Sequence, residues 1–273
     1  MPGKRALAVL NALVTVLVIG WNYWTAAFGL DGQKVGEMSE RYDSLFRPAG
    51  YAFSIWGLIF LMLATHAGYQ LWLAFRRDAP SGDATLDGHR ASLFGQLGPL
   101  LILTNLANGL WTVLWLTEQT AASVVVLASM CVFLALAMYR LGMNRAPAPL
   151  EVRWFVRVPL GVYAGWVTVA VLANLSAFLA KHDLVSGESA GWAIGMIALA
   201  TVYNGAALLL RGLRAHTLVA VWAFVAIAVA RWGEAPSVQW TAAAAAATLT
   251  VAVVMHTAGT VRRGRTEATV APG

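Results

Sequence analysis

The feature that most narrows the fold of this chain is where its charges are not. All 19 Lys and Arg and all 13 Asp and Glu residues can be placed outside eight apolar runs. Each run approaches the ~20 residues that a helix needs to cross a hydrocarbon core ~30 Å thick. The runs lie at roughly 6 to 28, 51 to 75, 92 to 117, 121 to 139, 158 to 180, 190 to 210, 215 to 230 and 239 to 259. The seventh is the shortest. With 59% hydrophobic and 12% charged residues among 273, no stretch is left for a separate soluble domain. The expected fold class is all-α: a polytopic membrane helical bundle with about eight transmembrane helices.

Charge sets the orientation. Fourteen Lys and Arg fall before the first run, in the even loops and in the C-terminal tail, against five in the odd loops, whereas eight of the acidic residues lie in the odd loops. The positive-inside rule then puts both termini in the cytoplasm. The +6 net charge reflects this asymmetry, so no nucleic-acid partner is expected. The partner expected throughout is membrane lipid, and the location an integral membrane protein, for a bacterial chain the cytoplasmic (inner) membrane. Lys4 and Arg5 precede an apolar run too long for a cleaved leader, which reads as a retained first helix. Cys131 is the only cysteine, so an intrachain disulfide and a thiolate metal cluster are excluded.

Loops 29 to 50, 76 to 91 and 140 to 157 are the only long ones; short connections elsewhere imply antiparallel neighbours in one bundle. Gly161 with Gly165 and Gly191 with Gly195 have GxxxG spacing, and Ala242 to Ala247 is a small-residue run. Both features let helices approach closely, within the molecule or in a homodimer.

Twelve tryptophans fall into two groups. Trp21, Trp24, Trp72, Trp115, Trp154, Trp192, Trp232 and Trp240 lie near span ends, where an interfacial aromatic belt accounts for them. Trp56, Trp111, Trp166 and Trp222 lie deeper, where each indole N–H needs a protein partner. At about 100° per residue, Asn105, Asn108, Trp111 and Trp115 share a stripe about 120° wide, and Tyr163, Trp166 and Asn174 one about 80° wide. Phe53, Trp56 and Phe60 share a face of the second helix, which Pro48 and Gly50 open abruptly. Such stripes serve either as interhelical hydrogen bonds or as the walls of a cavity for a flat apolar ligand with a few polar edges.

These motifs carry a resemblance. Phe53-x-x-Trp56 with Ile55, Ile59 and Phe60, then Asn108-x-x-Trp111, then Tyr163-x-x-Trp166 with Asn174, resemble in order the TspO/MBR family of tryptophan-rich sensory proteins, related to the mitochondrial translocator protein. Phe53 sits one residue closer to the tryptophan than in the family, Val162 replaces a proline, and the Trp-x-Pro-Pro of the preceding loop is missing. The resemblance covers roughly 42 to 180. It implies a five-helix TspO-like bundle over 1–180 and a three-helix extension over 181–273 in the same membrane domain. It further implies binding of porphyrins and, in some members, sterols, with Phe53, Trp56, Asn105, Asn108, Trp111, Tyr163, Trp166 and Asn174 around the ligand. Tyr42, Arg47 and Pro48 would belong to a lid loop. The family's sterol pattern has no tyrosine to match it in Phe178 to His182, and Leu136, Tyr139 and Arg145 match it only loosely, so a tetrapyrrole or similar hydrophobic small molecule is favoured.

Three functional classes stay open. The first is a receptor or carrier for a porphyrin-like ligand, in which porphyrin or haem is ligand and no cofactor is required. The second is a facilitative transporter of a small metabolite; none of the acidic residues has to lie at mid-membrane, which argues against ion coupling. The third is an enzyme acting on the bound pigment, although no Ser/His/Asp grouping, HExxH or paired carboxylates stand in the spans. A retinal pigment is excluded because Lys4, Lys34 and Lys181 all lie outside mid-helix. His66 and His256 lie within spans, each able to hydrogen-bond a neighbouring helix or to ligate a haem iron.

Overall fold

The computed structural model describes residues 2–42, 44–76, 97–143 and 148–270. Among them the chain is helical almost throughout, since a segment in lipid must satisfy its backbone groups internally. The helices in chain order are α1 (Pro2–Phe28), α2 (Val35–Arg41), α3 (Ile55–Phe75), α4 (Gly98–Leu116), α5 (Thr120–Arg140), α6 (Leu150–Lys181), α7 (Ala190–Arg211), α8 (Arg214–Ala230) and α9 (Pro236–Val270). A 3-10 turn, Gly50–Ser54, leads into α3, and α6 contains a π-helical stretch, Arg153–Arg157. Helix α2 lies inside the long loop 29 to 50, which otherwise makes a tight turn closed by the Leu30–Gln33 bridge.

Seven of these helices are long and apolar enough to cross a membrane: α1, α3 with its lead-in, α4, α5, α6, α7 and α9. The shortest expected run is α8, with 17 residues. At about 1.5 Å per residue it spans about 25 Å, less than a full hydrocarbon core. It packs against α6, α7 and α9, so protein rather than lipid surrounds much of its length.

Side-chain contacts fix the antiparallel arrangement. Arg5 Nε donates to the Ala74 carbonyl at 3.2 Å, Tyr69 Oη to Glu151 Oε1 at 3.0 Å, and Arg214 to Thr260 Oγ1 at 2.7 Å. Arg211 lies over the Tyr139 ring. These contacts collect the start of α1, the ends of α3, α5 and α7, the starts of α6 and α8, and the second half of α9 at one end of the bundle. The basic residues Arg5, Arg76, Arg140, Arg153, Arg157, Arg211 and Arg214 all sit there, in line with the charge asymmetry of the loops.

Two apolar cores meet at α8. Val219, Ala223 and Ala226 pack with the core of α1 and α3 to α6, while Ala220, Phe224 and Ile227 pack with α7 and α9. The 3.6-residue repeat supplies both faces. Gly161 and Gly165 set the α6–α8 approach: a Cβ at Gly165 would stand 2.6 Å from the His216 carbonyl oxygen, and one at Gly161 3.2 Å from Ala215 Cβ. This GxxxG pair is an intramolecular contact. Gly191 and Gly195 face outward, with nothing within 4 Å of an added Cβ. Within the alanine run, Ala242, Ala245 and Ala246 are buried in the second core.

Candidate ligand-binding site

Trp56 is the centre of a ring cluster shared by α3, α4 and α6. It stacks on Trp111 with centroids 6.0 Å apart and on Phe60 at 5.4 Å, and meets Tyr163 at 6.1 Å and Trp166 at 6.4 Å edge-on. Phe53, one turn earlier in the 3-10 lead-in, meets Trp166 edge-on at 5.9 Å. Offset and edge-to-face geometries are the ones that ring quadrupoles favour. The motif spacing brings these rings to one depth because each helix repeats every 3.6 residues and neighbours run antiparallel.

Beside the cluster lies a cavity of about 540 Å³ counting its open mouth. Phe53, Trp56, Trp111, Trp115 and Trp166 form aromatic walls, and Ala170, Ala173 and Ala177 leave the space between them. The rim comes from the long loop: Val35, Ser39, Tyr42, Ser44, Arg47 and Pro48. This is the build of a small-molecule site, apolar with few oriented polar groups.

Those polar groups are individually placed. Asn174 Oδ1 accepts from Trp111 Nε1 at 2.8 Å and from Ser123 Oγ at 3.2 Å, tying α4, α5 and α6 together at the cavity wall. Trp115 Nε1 donates to the Val35 carbonyl at 3.3 Å and holds α2 against α4. Trp166, only 2% exposed, has an indole N–H with no hydrogen-bond partner among the described residues.

Of the residues singled out from the sequence, Phe53, Trp56, Trp111, Trp166 and Asn174 line the cavity, as do Tyr42, Arg47 and Pro48 of the loop. Tyr163 is buried behind Trp56. Asn105 and Asn108 turn instead toward α1: Asn105 Nδ2 donates to Thr15 Oγ1 at 3.2 Å, and Asn108 Oδ1 accepts from Asn22 Nδ2 at 2.8 Å. Trp222 Nε1 donates to the Ala52 carbonyl, joining α8 to the turn before α3. His66 is fully buried with Nδ1 2.7 Å from the Phe155 carbonyl, so Nδ1 carries the proton and the imidazole ties α3 to the π-helical stretch of α6. His256 Nδ1 accepts from Arg214 Nε. Among the described residues no three His, Cys, Asp or Glu side chains converge as metal ligands. Arg145 lies outside the described residues.

Trp115, which shares the stripe of Trp111 although its place near a helix end suggests a lipid interface, is 3% exposed and walls the cavity. One feature had no clear sequence signal. Glu118, in the turn between α4 and α5 at φ +61°, is the latch of the loop. Its carboxylate accepts from Arg41 and from Tyr42 Oη at 2.6 Å and pairs with Lys181 at 3.4 Å, while Lys181 Nζ also donates to the Glu118 carbonyl at 2.7 Å. The Tyr42 hydrogen bond, with Lys181 and Arg41 beside it, holds the Glu118 carboxyl below its ordinary value. Burial and then the Glu118 bond push the Tyr42 phenol up, so it stays a donor at neutral pH.

The other half of the loop is fixed to the C-terminal helices. Leu45 N donates to the Gly187 carbonyl at 3.0 Å, Ala49 N to the Ala226 carbonyl at 3.1 Å, and Arg231 to the Ser44 carbonyl at 3.1 Å. No curated protein and no solved structure matches the chain. The family model described as TSPO-like protein matches residues 8–255, a span that runs through the aromatic motifs and on through α7, α8 and most of α9. With that match over most of its length, the chain is a member of the TSPO-like protein family.

Proposed function

We propose that this membrane protein binds a planar, largely apolar small molecule of the porphyrin class in the cavity beside Trp56, with loop 29 to 50 as its lid. The observation that carries the reading is the Trp166 indole. Its buried N–H has no partner, although nearly all such groups in proteins find one, and it stands in the wall of an aromatic cavity. A ligand with a hydrogen-bond acceptor on the edge of a flat ring system would satisfy that donor while lying against the aromatic wall that holds Trp56 and Trp111. Asn174, already fixed by Trp111 and Ser123, adds an oriented polar group to the wall. Val35, Ser39, Tyr42 and Pro48 of the loop stand at the rim, so entry of a tetrapyrrole requires the lid to move away from the tryptophans.

The test is titration of the detergent-purified protein with protoporphyrin IX, following tryptophan fluorescence and the Soret band. Saturable quenching is expected, weakened at least about tenfold by Trp166→Ala and by Trp111→Ala, since loss of a stacked aromatic at the centre of a site costs about 1–3 kcal/mol. Unchanged affinity in both variants would remove the site from this cavity. A carrier role adds movement to binding and predicts saturable porphyrin uptake by proteoliposomes that the same variants lose.

A further inference from the structure

We infer that the protein has a second site, for the phosphate headgroup of an anionic phospholipid, among Arg153, Arg211 and Arg214 at the basic end of the bundle. The three arginines come from three helix ends that the antiparallel packing brings together: the start of α6, the end of α7 and the start of α8. Burial disfavours the charge on Arg214, and the positive charge of Arg153 nearby adds to that. Such proximity opposes folding unless something neutralises it. Among the described residues nothing does. The ion pairs there join Arg41 and Lys181 to Glu118 and Arg231 to Glu234, and none involves these three arginines.

Their partners are neutral or absent. Arg214 donates to an imidazole nitrogen of His256 and to the Thr260 hydroxyl, and neither cancels its charge. Arg211 lies with its guanidinium 5.9 Å from the centre of the Tyr139 ring, and its Nε is buried without a hydrogen-bond partner. Arg153 is exposed. A guanidinium with a donor to spare, beside two more of the same charge, is matched by an anion with several acceptor oxygens.

The surroundings choose a lipid as the carrier of that anion. Side chains flanking the arginines are apolar and turned outward: Leu150 (71% exposed), Trp154 (60%), Leu209 and Leu210. Trp154 and Tyr139 are amphipathic rings of the kind enriched at headgroup level, and Leu150 and Leu209 suit acyl chains. Basic pockets between helix ends on the cytoplasmic side are where anionic headgroups bind. This site lies at the opposite end of the bundle from the lid and does not depend on the aromatic cavity having a ligand.

The full-length protein in a non-ionic detergent, titrated with dioleoyl-phosphatidylglycerol and read by native mass spectrometry, tests the assignment. Dioleoyl-phosphatidylcholine and inorganic phosphate are titrated in parallel. Phosphatidylglycerol should be retained at least about tenfold more tightly than phosphatidylcholine. Arg153→Gln, at an exposed position that should not disturb folding, should weaken it about fivefold, and the triple variant with Arg211→Gln and Arg214→Gln about 100-fold. Arg76→Gln, at the same end but on α3, should leave it unchanged. Equal retention of the two lipids, an unaffected triple variant, or an equal loss in Arg76→Gln would overturn the site. Inorganic phosphate competing at the same concentration as the lipid would show a free-anion site and overturn the lipid assignment.

Discussion

At the scale of single residues, a buried hydrogen-bond donor and a missing methyl group carry most of the account. Trp166→Phe removes an N–H that has no partner, so it should leave thermal stability in detergent unchanged or raise it by up to about 1 kcal/mol, while porphyrin affinity falls. Trp111→Phe removes a donor that is used, and leaves Asn174 with one bond fewer; it should destabilise the protein by about 0.6–2 kcal/mol. A stability loss in Trp166→Phe equal to that in Trp111→Phe would mean that the Trp166 N–H has a partner after all. Gly165→Ala must displace the His216 carbonyl or Val219 and should cost about 1–3 kcal/mol, whereas Gly195→Ala meets open space and should be neutral in the same melting experiment. The sequence makes Trp56, Trp111, Trp166 and Asn174 legible because a large or polar group deep in a span has to be explained. It could not separate them from Asn105 and Asn108, because amide groups on one stripe look alike until the tilt of α1 decides which of them it covers. Nor could it separate the two GxxxG pairs, since the pattern states only that a backbone approaches closely and not whose.

At the scale of elements, loop 29 to 50, the proposed lid, has two halves with different fastenings. The half around α2 is held by side chains on the Glu118 carboxylate, and the half from Ser44 to Ala52 by two backbone bonds and by the Arg231 and Trp222 side chains from the C-terminal part of the chain. The first half is therefore the one expected to open. Glu118 has a lowered pKa in the folded protein, so its latch is fully present above the ordinary carboxyl value of 4.5 and is lost as pH falls below that through the lowered value. The groups facing this carboxylate are Arg41 and Tyr42 from the loop and Lys181 from the end of α6. Hydrogen exchange of the amides from Val35 to Tyr42 should become several-fold faster in Glu118→Gln at neutral pH, with the Leu45 and Ala49 amides unchanged. Equal acceleration of both halves would show that the loop moves as one body. A single acidic residue in a three-residue turn gives no sequence signal of this role, because its partners lie 63 to 77 residues away.

At the scale of the molecule, the helical membrane class and the gathering of basic residues at one end of the bundle were readable from charge placement alone, since lipid penalises a misplaced charge more than any packing detail can repay. The relation between the two halves of the chain was not. The sequence resemblance weakens after residue 180, yet the family match continues to 255 and α8 belongs to both apolar cores. A chain ending at residue 182 would lose the Gly187, Ala226 and Arg231 anchors of the lid and bare the Gly161 and Gly165 face of α6. It should fail to accumulate as a folded, monodisperse protein, and a stable fragment of that length would contradict the shared core. The central claim, that the space beside Trp56 receives a ligand, is tested most directly by filling it. Ala173→Leu adds bulk inside the cavity, and Ala198→Leu adds the same bulk on the exposed face of α7. Protoporphyrin IX titrations of the two should show affinity reduced at least about tenfold in the first and unchanged in the second, in line with the ~1–3 kcal/mol cost of overpacking. Wild-type affinity in Ala173→Leu would contradict the account.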